Sequence, residues 1–231
     1  MQKKRRRSRT KLKDRPLPTY TKGEEVFNMV SHIVGGAIGV AALVLCIVFS
    51  AVHRNGYALA GSIVYGVSMI TLYTMSSIYH GLKDGTAKRV MQVLDHCTIY
   101  LLIAGTYTPI LFCKIRETSP VWAWTIFGIV WGLAAIAATL TAIDLKKYSK
   151  FSMICYIGMG WCIVIAPHIA IQSIAAEGLL WLLAGGIAYT IGAVIYGIGK
   201  HKRMKYAHAI FHLFVVLGSV LQYICILFYI L

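Results

Sequence analysis

The chain has 231 residues, of which 58% are hydrophobic and 13% charged, with a formal net charge of +15. Soluble domains run at about 45–50% apolar and about 25% charged, and a chain of this length folded in water could not hide so much apolar surface. These values exclude a soluble enzyme, a disordered regulator and a disulfide-stapled secreted domain, and they leave an integral membrane protein.

The N-terminal segment Met1–Lys22 holds ten Lys or Arg. It reads as a basic cytoplasmic tail, solvated or drawn to anionic inner-leaflet lipids at about 1 kcal/mol per basic residue. Nucleic acid is not an expected partner, because the charge is spread over the loops of one membrane face. Seven stretches then lack Asp, Glu, Lys and Arg altogether: Val26–His53, Asn55–Leu82, His96–Cys113, Thr118–Ile143, Phe151–Ala176, Gly178–Gly199 and Tyr206–Leu231. The shortest has 18 residues and the longest 28, against about 20 for a membrane-spanning helix. Strand-like alternation is absent. The expected fold is all-α, a seven-transmembrane helix bundle over 23–231, with the third span starting near Val90 so that Asp95 lies inside it.

Loop charges orient the bundle. The tail and the loops after spans 2, 4 and 6 hold 20 basic residues, and the opposite side holds three, Arg54, Lys114 and Arg116. The positive-inside rule places the N-terminus in the cytoplasm and the C-terminus outside. No cleavable signal peptide is evident, and span 1 reads as a signal anchor. The six cysteines at 46, 97, 113, 155, 162 and 225 lack CxxC pairing and read as free thiols packed as small hydrophobes.

Ionisable groups inside a membrane are costly and tend to mark function. Ser76 and His80 fall at the cytoplasmic end of span 2, Asp95 one or two turns into span 3, and His208 and His212 in the first two turns of span 7. His208 and His212 are i and i+4, so they share a face about 6 Å apart along the axis. Three histidines with an open fourth position is the ligand pattern of catalytic zinc, and a carboxylate and hydroxyl beside it could orient or deprotonate a water. The same residues admit a plainer reading, as interfacial histidines bonded to backbone or water and an acid beside a helix dipole. Convergence of three helices at one depth speaks for the metal. His53 and His168 at the outer face, and His201 in a basic loop, are read as having no role in a site.

The pattern Glu25-x-x-Asn28-x-x-Ser31-His32, Ser76-x-x-Tyr79-His80, the run Asp95-His96-Cys97 through Tyr107-Thr108-Pro109, and His208-x-x-x-His212 resembles the bacterial hemolysin III family. That family is similar to the progestin and adipoQ receptors, including the adiponectin receptors, and to a wider superfamily of membrane hydrolases that includes alkaline ceramidases. The resemblance implies zinc in the inner-leaflet half of the bundle, with His80, His208 and His212 matching the three metal ligands. Ser76 and Asp95 match the polar pair beside the water at the zinc, Asp95 accepting its proton and Ser76 holding it. Asn28 and His32 match a further motif, read as packing the start of span 1 against the site. His96 and Cys97 point elsewhere on the helix and are left out of the ligand set.

The implied protein sits in the bacterial plasma membrane and hydrolyses lipid amide or ester bonds, with inner-leaflet membrane lipids as partners, a lipid substrate or fatty acid as ligand, and a role in lipid homeostasis. The alternatives are a receptor-like membrane sensor in which zinc is structural, and a hemolysin-like pore. No amphipathic inserting segment supports the pore.

Overall fold

The computed structural model describes residues 10–53 and 55–231. Among them every regular element is helical: α1 (Lys22–Val52), α2 (Gly56–Gly81), α3 (Thr86–Ile110), α4 (Pro120–Ile143), α5 (Ser149–Gly160), α6 (Pro167–Ser173), α7 (Ala176–Lys202) and α8 (Ala207–Cys225). α3 continues through a π turn, Leu111–Ile115, and a last turn, Arg116–Thr118, while α8 ends in a π turn, Ile226–Ile230. Among the described residues six helices are long and apolar enough to cross a membrane: α1, α2, α3 with its extension, α4, α7 and α8 with its extension. α1 packs on α2, α2 on α3, α3 on α4 and α7 on α8, and α8 closes back onto α1.

The fifth apolar stretch departs from expectation. In place of one continuous helix it forms α5, a 3-10 turn at Cys162–Ile165 and the short α6. The cause is local. Gly158 and Gly160 weaken the end of α5, and Pro167 brings no N–H and pushes the residue before it out of the helical region, so Ala166 sits at φ −130°, ψ 63°. Broken backbone that is buried must find partners inside the protein. Tyr107 supplies them: its hydroxyl donates to the Gly160 carbonyl at 2.8 Å and accepts the Ile163 N–H at 3.0 Å.

The first helix buries small and polar residues and turns large apolar ones outward, as a close-packed helix facing lipid requires. Along α1 the buried stripe is Glu24, Asn28, His32, Gly35, Gly39, Ala42, Cys46 and Ser50, while Val30, Ile33, Val34 and Val44 are exposed. Gly35 sets the α1–α2 distance, because a Cβ there would lie 2.6 Å from the Tyr73 ring. That ring cannot swing away freely, since its hydroxyl donates to Ser219 Oγ at 2.7 Å. The six cysteines are unpaired thiols, as the absence of CxxC spacing suggests.

Residues 1–9 of the basic tail lie outside the described residues, as does Arg54. From Thr10 on, the tail lies against the bundle. The Thr10 N–H donates to Asp144 Oδ2 at 3.2 Å. The buried Arg15 donates from its guanidinium to the Ile143 carbonyl at 2.9 Å, and its own carbonyl accepts Arg89 Nε–H at 2.9 Å. Burial alone would raise the Asp144 carboxyl, but the N–H groups of Lys147 and Thr10 and the Arg15 charge hold it below the usual carboxylate range.

Candidate metal centre

The site is built where the first turns of α1 and α8 meet the last turn of α2. Thr21 caps α1: its hydroxyl accepts the Glu24 N–H at 3.2 Å and Glu24 Oε2 accepts the Thr21 N–H at 2.8 Å, a reciprocal capping box. Glu24 Oε1 also accepts the Tyr206 N–H at 2.6 Å. That bond ties the start of α1 to the start of α8 and brings His208 and His212 across to α1 and α2.

One ring nitrogen from each of His80, His208 and His212 lies within 4.8 Å of the other two. His208 Nε2 and His212 Nε2 are 3.1 Å apart. His80 Nδ1–H donates to Glu25 Oε2 at 2.6 Å, and His212 Nδ1–H donates to the Asn28 carbonyl at 3.3 Å. A ring whose Nδ1 is spent in this way carries its lone pair on Nε2. Among the described residues His80 Nε2 is buried without a hydrogen-bond partner, and an unpaired buried polar group costs about 1–3 kcal/mol. A cation removes that cost. The donor set therefore fits a metal ion held by three imidazoles.

Asp95 and Ser76 are buried beside the triad without belonging to it. His96 Nδ1 lies 3.5 Å from Asp95 Oδ2 and donates to the Gln92 carbonyl at 2.8 Å. Thus His96 stays out of the triad, as the helix geometry indicated, yet it touches Asp95. The Ser76 hydroxyl is buried and makes no regular hydrogen bond among the described residues. His32 stacks on His212, with centroids 3.6 Å apart and planes 9° from parallel. Among the histidines read as uninvolved, His53 bonds to Phe49, His168 rests against Trp122, and His201 is exposed at the end of α7.

Three residues next to the triad carried no role in the sequence reading. Glu25 contacts His80 and also accepts from Lys88 Nζ at 2.6 Å. Lys88 is itself buried, and its ammonium also donates to the Leu82 carbonyl at 3.0 Å. Tyr20 stacks on His208 with centroids 5.1 Å apart and planes 8° from parallel, and burial pushes its phenol above the ordinary range. Glu25 alone left a signal, as the first residue of a recognised motif.

A cavity of about 830 Å³ opens from this site, within the size of typical small-molecule pockets of about 300–1,000 Å³. Ser76, Asp95, His208 and His212 line one part of it. The rest is mainly apolar, including Ile99, Ile103, Val164, Ile171 and Leu183, with the broken α5–α6 segment as one wall. Lys150, Lys200 and His201 also reach its lining.

The family model described as Haemolysin-III related matches residues 20–223, which takes in the whole site. The chain belongs to the Haemolysin-III related family. It is 37% identical to Hemolysin-3 of Bacillus cereus over 208 residues, covering 90% of this chain and 92% of the relative. More distant members of the same wider group are also similar. The monocyte to macrophage differentiation factor of Homo sapiens is 28% identical over 171 residues, 71% of this chain and 67% of its own length. The ADIPOR-like receptor IZH2 of Saccharomyces cerevisiae is 25% identical over 164 residues, 63% of this chain and 51% of its own. The chain is thus a multi-span membrane protein of the Haemolysin-III related family with a buried histidine triad able to hold a metal ion.

Proposed function

We propose that this family member is a zinc-dependent hydrolase of lipid amide or ester bonds, resident in a bacterial cell membrane. The observation that carries the reading is the union of two features in one space: an apolar cavity of about 830 Å³ and, in its wall, an acid, a hydroxyl and two of three convergent histidines. An acyl chain lying in the apolar part brings its polar linkage to Asp95 and Ser76. His80, His208 and His212 would hold the zinc, which supplies a water activated near neutral pH and a Lewis acid for the carbonyl. Asp95 accepts the proton of the attacking water and delivers it to the leaving atom, and Ser76 holds the water or the carbonyl oxygen by a hydrogen bond. Incubation of the purified protein with bacterial lipid extract is expected to release fatty acid, to stop on chelation and to resume with added zinc. Turnover absent, or indifferent to chelation, would refute the hydrolase. Dye release from vesicles without lipid turnover would favour instead the lytic activity that the relative's name carries.

The same reading gives the chain seven crossings, with α5, the 3-10 turn and α6 together as the fifth. It places the N-terminus in the cytoplasm, the C-terminus outside and the histidines toward the inner leaflet. The charge division of 20 basic residues to three supports this, and an odd number of crossings is the only count consistent with it. A reporter active only in the cytoplasm, fused after Leu231, is expected to stay silent. A strong signal would reverse the orientation and move the site to the outer leaflet.

A further inference from the structure

Glu25 and Lys88 are an unusual expense for a membrane bundle. Lys88 is buried, and its pairing with Glu25 spans two helices, α1 and α3. Burying an ion pair is weak grounds for stability, because desolvation offsets much of the attraction. The pair therefore calls for another account, and the second oxygen of Glu25 offers one. Oε1 meets Lys88 Nζ at 2.6 Å while Oε2 meets His80 Nδ1 at 2.6 Å. One helical turn along, the Asn28 carbonyl meets His212 Nδ1 at 3.3 Å. Two of the three candidate ligands are thus bonded through Nδ1 to successive turns of one helix, from α1, which supplies no ligand itself. His208 differs, since its Nδ1 is buried without a partner among the described residues and its ring stacks on Tyr20.

We infer that Glu25, backed by Lys88, is a positioning residue of the metal centre. It holds His80 as the Nδ1–H tautomer, with Nε2 bare and aimed for coordination, while the Asn28 carbonyl does the same for His212. Lys88 holds the carboxylate in place, so that both of its oxygens are committed. Partners of this kind fix the ring orientation and raise ligand basicity, and losing one lowers metal affinity about 10- to 100-fold. The inference rests on the metal reading above and assigns no chemistry to Glu25.

The test compares wild type with Glu25→Ala, Glu25→Gln and the paired Glu25→Leu/Lys88→Met variant, all purified in lipid nanodiscs. Zinc affinity is measured by competition with a chromophoric chelator, and the His80 tautomer by nitrogen NMR of the metal-free protein. Glu25→Ala is expected to weaken zinc binding about 10- to 100-fold and to mix the two tautomers of His80. Glu25→Gln, whose amide oxygen can still accept Nδ1–H, is expected to keep the tautomer and lose less affinity than Glu25→Ala. The paired variant leaves no unmatched charge, so it carries the test should Glu25→Ala not accumulate. It is expected to match the Glu25→Ala loss. Wild-type affinity in Glu25→Ala and the paired variant, or an unchanged tautomer in both, overturns the inference while leaving the metal reading in place. Wild type that takes up no zinc overturns both.

Discussion

The His208→Ala/His212→Ala variant is expected to carry less than about a tenth of the roughly one zinc per chain of the wild type, three histidines being the usual protein complement of an open zinc site. The two residues sit one turn apart on α8, and their Nε2 atoms lie 3.1 Å from each other. Removing both leaves His80 alone, and a single imidazole cannot supply the roughly 10–16 kcal/mol with which a full structural zinc site binds its ion. The loss should reach beyond the metal. With no ion, the bare His80 Nε2 remains buried with no hydrogen-bond partner among the described residues, so the junction of α2 and α8 loses its clamp. His80→Ala leaves the i, i+4 pair standing and is expected to retain more zinc than the double variant. Elemental analysis of the purified proteins reads both. Full zinc in the double variant would remove the triad from consideration, whatever the remaining side chains do.

The parts of this molecule that could be read along the chain are those governed by local rules. Charge-free runs mark where lipid can surround a helix, and six of them became continuous spanning helices. The i, i+4 relation of His208 and His212 needs only the pitch of α8. The fifth run failed for a reason that hydropathy does not register. Its glycines and Pro167 are apolar by composition, and Tyr107, from α3, bonds to the broken backbone. Glu25 stood at the head of a recognised motif, but with no role attached. Its meaning lies in His80 and Lys88, 55 and 63 residues away, and no periodicity connects such positions. Tyr20 was hidden for a similar reason: a tyrosine beside a strongly basic tail reads as solvated until the fold lays it on His208. What the sequence pattern could not convey is therefore the shell around the triad, which is assembled from elements that each look unremarkable alone.

Asp95→Asn is expected to retain zinc close to the wild-type level and to lose about 10²- to 10⁴-fold in lipid hydrolysis, the usual worth of a positioned general base. The argument begins with placement. Asp95 is buried within α3, where a carboxylate is expensive to keep, yet it stands outside the group of nitrogens that converge on the metal position. It lines the cavity together with Ser76, His208 and His212, so a water or carbonyl brought there meets its oxygens. His96, at 3.5 Å from Oδ2, already donates to the Gln92 carbonyl. Asparagine keeps the volume and can still accept a hydrogen bond, so the bundle should fold, but it cannot take a proton. Ser76→Ala should cost less, because it removes one hydrogen bond worth about 0.5–1.5 kcal/mol, or roughly two- to 13-fold in rate, and leaves the proton acceptor in place. The order of the two variants is thus part of the prediction. Fatty acid release and zinc content, measured on the same preparations, separate the outcomes. If Asp95→Asn loses its zinc, Asp95 is a ligand or a structural support for the triad. If it keeps both zinc and full activity, Asp95 is not the base. If neither wild type nor variant turns over lipid while both hold zinc, the ion serves to clamp α2 and α8, and a sensor built around that clamp becomes the better account of the cavity beside it.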